Sequence, residues 1–468
     1  MVRSSLNECL NFLTTRRQAI KTMSLGATAL ALSGCNVIMG AAPPGLSSLG
    51  KDPAPGRKTV IEIYSVFSSN VAVGWNELAA RYEKAQPDVG VKITYAPASG
   101  GGGDDNPKLF TSIAGKTPPD IANLTPFSTP QWAELGIMTD LTPYLQRDGI
   151  TADTFFPIAW HDMNYKGRVW QVQWDADPNF AFFWNKDLFQ KEGLDPNRPP
   201  QTIDEVDEYS RRINRSKGGN VTQIGMIPWG TYGFSNSMFT WGWAFGGEFY
   251  DPEKEEVTPD NDYVVKALEW MVKYARSVGG ADKVNVSPPN LQLPPFGAGT
   301  VGMAPLVAPN ARDLKTGAPN MHVGAALLPY QGPGATQPGA GAWFGGWSLF
   351  VPKGAKHPDE AWDFIKWVST SPEGTLAQWE TVGFPPACKN TPVFDRMKAD
   401  PIMGPYYNVL LTAQHSRPAI PVGGFYATQF EQIISDAIYG KLTPLQALRT
   451  VKESTMKEWV RFKREAGS

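Results

Sequence analysis

From Thr59 the run Val60-Ile61-Glu62-Ile63-Tyr64 alternates apolar and polar positions, the period of a half-buried strand. Val71 to Ala85 then carries apolar residues at helical spacing, and Val89-Gly90-Val91-Lys92-Ile93-Thr94-Tyr95 alternates again. Strand, helix and strand in this order predict a βαβ unit and so a largely parallel sheet. In such sheets ligands gather beyond the carboxyl ends of the strands. Phe67 and Ser68 follow the first strand and are therefore expected at the edge of a site.

Farther along, Leu109 to Ala114 predicts a short helix, Pro118-Pro119-Asp120-Ile121-Ala122 leads into a strand, and Gln131 to Gly136 starts a helix that ends at glycine. Phe180 to Trp184 reads as a strand. A helix from Ser235 to Phe245 would set Met238, Trp241 and Phe245 on one face, which predicts core packing for Trp241 and Phe245. Trp229, between Pro228 and Gly230 in a predicted loop, is the better candidate for stacking on a ligand.

The chain has 468 residues, 42% of them hydrophobic, enough for a large core divided over two or three domains. Its formal charge is -2 and its basic residues are scattered, which argues against nucleic acid as a partner. Gly115-Lys116-Thr117 imitates the end of a phosphate-binding loop, but Phe110 stands where the upstream glycine is required, and Pro118-Pro119 forbids the following helix. Asp175-x-Asp177-x-Asn179 imitates a calcium loop and fails at Phe180 and Lys186. The four histidines, His161, His322, His357 and His415, are scattered, and Cys388 reads as a small packed residue. No metal site, cofactor or catalytic set is predicted.

The N-terminal segment has a different logic. Thr15-Arg16-Arg17-Gln18-Ala19-Ile20 precedes an apolar run that ends in Leu32-Ser33-Gly34-Cys35. Met23 to Gly34 is about a dozen residues, short of the ~20 needed to span a bilayer. The segment resembles a bacterial export signal, with Arg16 and Arg17 similar to the twin-arginine motif and Leu-Ser-Gly-Cys similar to a lipobox. That resemblance implies cleavage before Cys35, lipidation of Cys35, and anchoring outside the cytoplasmic membrane. Residues 36–57, rich in Gly, Pro, Ser and Ala, would be a flexible tether.

Several blocks in order carry a second resemblance. They are Thr117-Pro118-Pro119-Asp120-Ile121, Ala133 through Leu145, Lys166 through Gln173, Phe182 through Phe189 with Glu192-Gly193-Leu194, Pro199 through Glu205, Gly345 through Lys353, Pro358 through Ile365, and Gly440 through Leu448. Together they resemble the extracellular solute-binding proteins of the maltose-binding type. Gln173 replaces the usual proline, and Trp184 stands where tyrosine is commoner. The resemblance implies an α/β, two-lobed periplasmic-binding-protein-like fold of type II, with a ligand cleft between lobes joined by several chain crossings. These would lie near Gln173–Pro178, Gly345–Trp347 and Arg417–Pro421, with one lobe formed by 58–175 and 347–417 and the other by 176–346 and 418–468. It further implies a monomeric receptor of an ABC importer that binds a mono- or oligosaccharide and hands it to a membrane permease without chemistry.

A sugar presents C–H faces and hydroxyls, so its site needs aromatic rings and planar polar groups. The first crossing supplies Trp174, Asp175 and Asp177, although Asp177-Pro178-Asn179 is equally good turn chemistry. The second supplies Gly346, Trp347 and Trp343; the third supplies Arg417, with Phe425 or Tyr426 after it. Arg417 would either donate a bidentate pair to the ligand or bridge the lobes. Phe127 and Asn310 complete the candidates. The competing readings are a secreted glycosidase, for which Asp175 and Asp177 lie too close in sequence to flank a ring, and a sensory binding protein for another solute.

Overall fold

The computed structural model describes residues 50–67, 69–95, 107–230, 232–284 and 295–466. Arg16, Arg17, Cys35, residues 36–49 of the expected tether, and Ser68 lie outside the described residues.

The strands that frame the molecule are, in chain order, β1 (Thr59–Ser65), β2 (Val89–Tyr95), β3 (Ile121–Leu124), β4 (Val172–Gln173), β5 (Pro178–Asn179), β6 (Ala181–Asn185), β7 (Met303–Leu306), β8 (Val323–Ala326), β9 (Trp343–Phe344), β10 (Ser348–Phe350) and β11 (His415–Ser416). The helices used below are α1 (Ser69–Ala85), α2 (Pro157–Met163), α3 (Gly233–Ala244), α4 (Asp262–Ser277), α5 (Ala308–Gly317), α6 (Pro372–Thr381), α7 (Gly404–Thr412), α8 (Gly423–Ile438) and α9 (Pro444–Ala466).

The first sheet has the order β2-β1-β3-β10-β4. β1 pairs in parallel with β2 from Thr59↔Val89 to Ser65↔Tyr95, and with β3, as the predicted βαβ opening requires. Ile61, Ile63 and Ser65 point into the core, and α1 covers them with Ala72, Trp75, Leu78, Ala79 and Tyr82 at helical spacing. β10 then enters antiparallel between β3 and β4. A second sheet, β7-β6-β8, is antiparallel throughout and lies with helices α3, α4, α8 and α9, which pack on one another. A third, β11-β9-β5, is only two residues deep.

These short strands mark the joints of a two-lobed α/β fold. The chain leaves the first sheet after β4 and enters the third at β5; it returns from β9 to β10, so the two passages run antiparallel side by side. A further passage follows β11, which pairs with β9. The three therefore meet in one bundle between the sheets.

Two local expectations change. The helix predicted over Ser235 to Phe245 is α3, and it is buried almost all round: Phe239, Thr240 and Trp243 are as inaccessible as Met238 and Trp241. Aromatic neighbours arrive from both flanks, with Phe239 against Phe249 and Phe430, and Trp241 against Trp270. The helix predicted from Gln131 begins at Thr129, with Pro130 in its first turn. No helix among the described residues is long and apolar enough to cross a membrane.

Candidate functional site

The first crossing alternates in a way that decides what faces what. Val172, Trp174 and Ala176 are buried on apolar neighbours, while Gln171, Gln173 and Asp175 are buried with polar ends. The Gln173 Nε2 donates to the Gly345 carbonyl at 2.6 Å, and the Gln171 Nε2 donates to the Asp162 carbonyl at 3.0 Å. Asp175 accepts the backbone N–H of Trp347, which ties the first crossing to the second. Gln171 Oε1, Gln173 Oε1, Asp175 Oδ2 and Asp177 Oδ1 are then left without a hydrogen-bond partner among the described residues. Buried acceptors in this state are costly unless a donor reaches them.

Their surroundings shift the carboxyls. Burial pushes Asp175 well above the ordinary carboxylate range, the neighbouring Asp177 adds to this, and the Trp347 N–H opposes it. Burial also raises Asp177, to about 6, against the pull of the Asn179 side chain and the Arg417 guanidinium.

On the apolar side, Phe67 at the end of β1 meets Trp347 edge-on at 4.9 Å and Trp174 at 6.0 Å, and Trp75 of α1 meets Trp174 at 5.0 Å. Trp347 keeps part of its surface open, whereas Trp174 is 0% exposed. The rings of Phe67, Trp75 and Phe384 enclose Trp174, which supports the nest in which Trp347 stands. Gly346 has φ +108, and a Cβ there would lie 2.5 Å from the Asp175 carbonyl oxygen, so glycine is required for this approach.

The third crossing places the Arg417 guanidinium 4.1 Å from the centroid of Phe127 and 5.3 Å from that of Trp343. Beside it, Ser416 donates its hydroxyl to Asp162, which also bonds His161. Burial raises the Asp162 carboxyl, with His161, Ser416 and Arg417 pulling it down. Trp343 is buried and donates its Nε1–H to Thr240 of α3. Phe127 is buried too, and its carbonyl approaches Gly423 at the start of α8 so closely that a Cβ there would sit 3.0 Å away.

The structure thus gathers Phe67, Phe127, Trp174, Asp175, Asp177, Trp343, Gly346, Trp347 and Arg417 around the crossings. Asn310 lies at one remove: it accepts from the Tyr232 hydroxyl at 2.7 Å, and Tyr232 stacks on Phe180 at 5.1 Å. Phe425 is partly buried in the first turn of α8. Trp229 and Tyr426 are both buried. Trp229 packs on Tyr274, and Tyr426 is buried against Phe239 and Phe430 with its hydroxyl donating to the Phe249 carbonyl. Gln171, Gln173, Phe180 and Tyr232 also stand here and were not among the expected site residues. No group of three His, Cys, Asp or Glu among the described residues is placed to hold a metal ion.

Chemically, the crossings offer unpartnered oxygen acceptors, a guanidinium and the partly open indole of Trp347, a set suited to binding a polar, hydroxylated solute.

The family described as "Bacterial extracellular solute-binding protein" matches residues 68–375. A mannitol-binding protein of Pseudomonas aeruginosa is 24% identical over 426 residues, covering 85% of this chain and 92% of the relative. A probable ABC transporter-binding protein of Deinococcus radiodurans is 25% identical over 305 residues, 64% of this chain and 70% of that protein. Among solved structures, CpMnBP1 with mannobiose bound is similar with a TM-score of 0.73 and 26% identity, over 85% of this chain and all (100%) of that one. The maltose-bound MalE3 of T. maritima gives 0.69 at 22% identity, over 86% and 100%.

Proposed function

The chain belongs to the bacterial extracellular solute-binding protein family, and from that premise we propose that it is the extracytoplasmic receptor of an ABC importer for a mono- or oligosaccharide. The carrying observation is the row of unpartnered acceptors on Gln173, Asp175 and Asp177 beside the partly open Trp347. Sugar hydroxyls supply the donors those oxygens lack, and an indole offers a face to C–H groups. The likeness to a mannobiose-bound protein at 26% identity points the same way.

In this reading the lobes close on the sugar, and the closed form presents it to the permease subunits. The lobes are 58–175 with 347–417 and 176–346 with 418–468, except that α7 goes with the second. Tyr406 of α7 donates its hydroxyl to the Leu306 carbonyl of β7. The receptor works as a monomer, is exported by way of Arg16 and Arg17, and is held at the membrane by a lipid on Cys35. It performs no reaction on the ligand. A micromolar Kd, about -8 kcal/mol, is within reach of one stacking face and several satisfied hydrogen bonds.

The test is a thermal-shift screen with mannobiose, maltose, mannitol, amino acids and polyamines. Ligand at 100 times its Kd stabilises the native state by about 2.7 kcal/mol. A rise in Tm with a sugar or polyol is expected. A response to amino acids or polyamines alone would overturn the sugar assignment.

A further inference from the structure

Arg417 stands where both lobes and all three crossings converge. Its guanidinium lies over Phe127, in the turn that follows β3 of the first sheet, and faces Trp343 of β9, which is rooted on α3 by its bond to Thr240. Two buried carboxyls accompany it. Asp162 ends near the C-terminus of α2, whose contacts include β4 of the first sheet, and Asp177 lies between β4 and β5 with its carbonyl accepting from Gly345 of the second crossing. The guanidinium lowers the pKa of both carboxyls, so its charge reaches both.

We propose that Arg417 is a positioning residue that sets the spacing of the lobes before any ligand arrives, by holding one aromatic ring from each side of the hinge against a single planar cation. A guanidinium suits this task because it stacks on ring faces while its edge still serves carboxylates; an ammonium does one or the other. Opening the lobes would draw Phe127 away from Trp343 and break the shared contact. The pin therefore favours a narrow range of lobe angles, and its strength adds to or subtracts from the apparent affinity for whatever solute binds. The inference concerns the regulation of the proposed site and rests on the two-lobed reading of the fold, not on the identity of the sugar.

The experiment measures interlobe distance without ligand. Nitroxide labels are placed at Lys84→Cys and Arg276→Cys, exposed near the ends of α1 and α4. The full chain also carries Cys9→Ser and Cys35→Ser, and buried Cys388 stays unlabelled. Arg417→Lys keeps the charge for Asp162 and Asp177 but loses the flat double contact. Pulsed dipolar spectroscopy should then show a broader distribution shifted to longer distance, with the far-ultraviolet circular dichroism unchanged. Phe127→Leu, which removes one ring and leaves the charge in place, should shift it in the same direction. Distributions in both variants that match the parent would overturn the proposal and return Arg417 to the role of a ligand contact. Because no sugar is present, that failure is distinct from failure of the sugar screen.

Discussion

The carboxylate of Asp175 accepts the backbone N–H of Trp347, a hydrogen bond between residues 172 positions apart that joins two chain crossings. Asp175→Ala strands that buried N–H and should lower stability by about 1–3 kcal/mol in urea denaturation. Asp175→Asn keeps an acceptor of the same shape and imitates the protonated acid that burial favours, so it should cost clearly less. Equal losses in the two variants would mean that the negative charge, and not the bond, is what matters.

Asp177 predicts a pH dependence of defined sign. Its carboxyl rises from 3.8 to about 6 on folding, so between those values the folded chain holds a proton that the unfolded chain has lost. The group's contribution to stability is present below about pH 4, declines as pH rises, and is gone above about pH 6. Urea midpoints for the parent should fall across this window more steeply than for Asp177→Asn, whose side chain does not titrate. Parallel curves would contradict the assignment.

Gly346→Ala meets two obstacles at once: a left-handed φ of +108 and a Cβ 2.5 Å from both the carbonyl and Oδ1 of Asp175. A loss of at least ~2 kcal/mol is expected. Calorimetry or urea melting measures it directly.

Trp174 and Trp347 should separate fold from binding. Trp174→Ala empties a site enclosed by Phe67, Trp75 and Phe384 and should cost roughly 3–5 kcal/mol. Trp347→Ala removes a ring that is already partly in solvent; its stability loss should be smaller, while any sugar-induced rise in Tm disappears. A retained sugar response in Trp347→Ala would move the stacking face elsewhere.

Much of the first sheet was legible because β1, α1 and β2 are long enough to show a period and lie next to one another in sequence. The crossings were not legible from periodicity. β4, β5, β9 and β11 have two residues each, too few for a pattern, and their pairing depends on segments far apart in the chain. Their positions came from the family resemblance alone. At the site, glycine beside Trp347 and carboxylates in a turn were useful signals. Proline and glycine flank Trp229, yet its ring is buried against Tyr274, and Tyr426, expected from the family resemblance, is buried in the first turn of α8: this chain has aromatic residues enough to fill its core from loops and helix starts as well as from helix faces. Gln171 and Gln173 escaped notice because an amide within an apolar run gives no sign of burial until the partner carbonyls, on Asp162 and Gly345, are in place.

The place of β10 in the first sheet has a consequence for how the chain must be made. Ser348–Phe350 sits between β3 and β4, so those two strands have no direct contact and depend on a segment synthesised about 175 residues after the latter. A ribosome that has produced every residue before Trp343 has produced the whole of the second sheet and still lacks the middle of the first. The first sheet is completed late, on long-range pairing, which is slow by its nature. Until then the edges of β3 and β4 stand open to any strand that meets them.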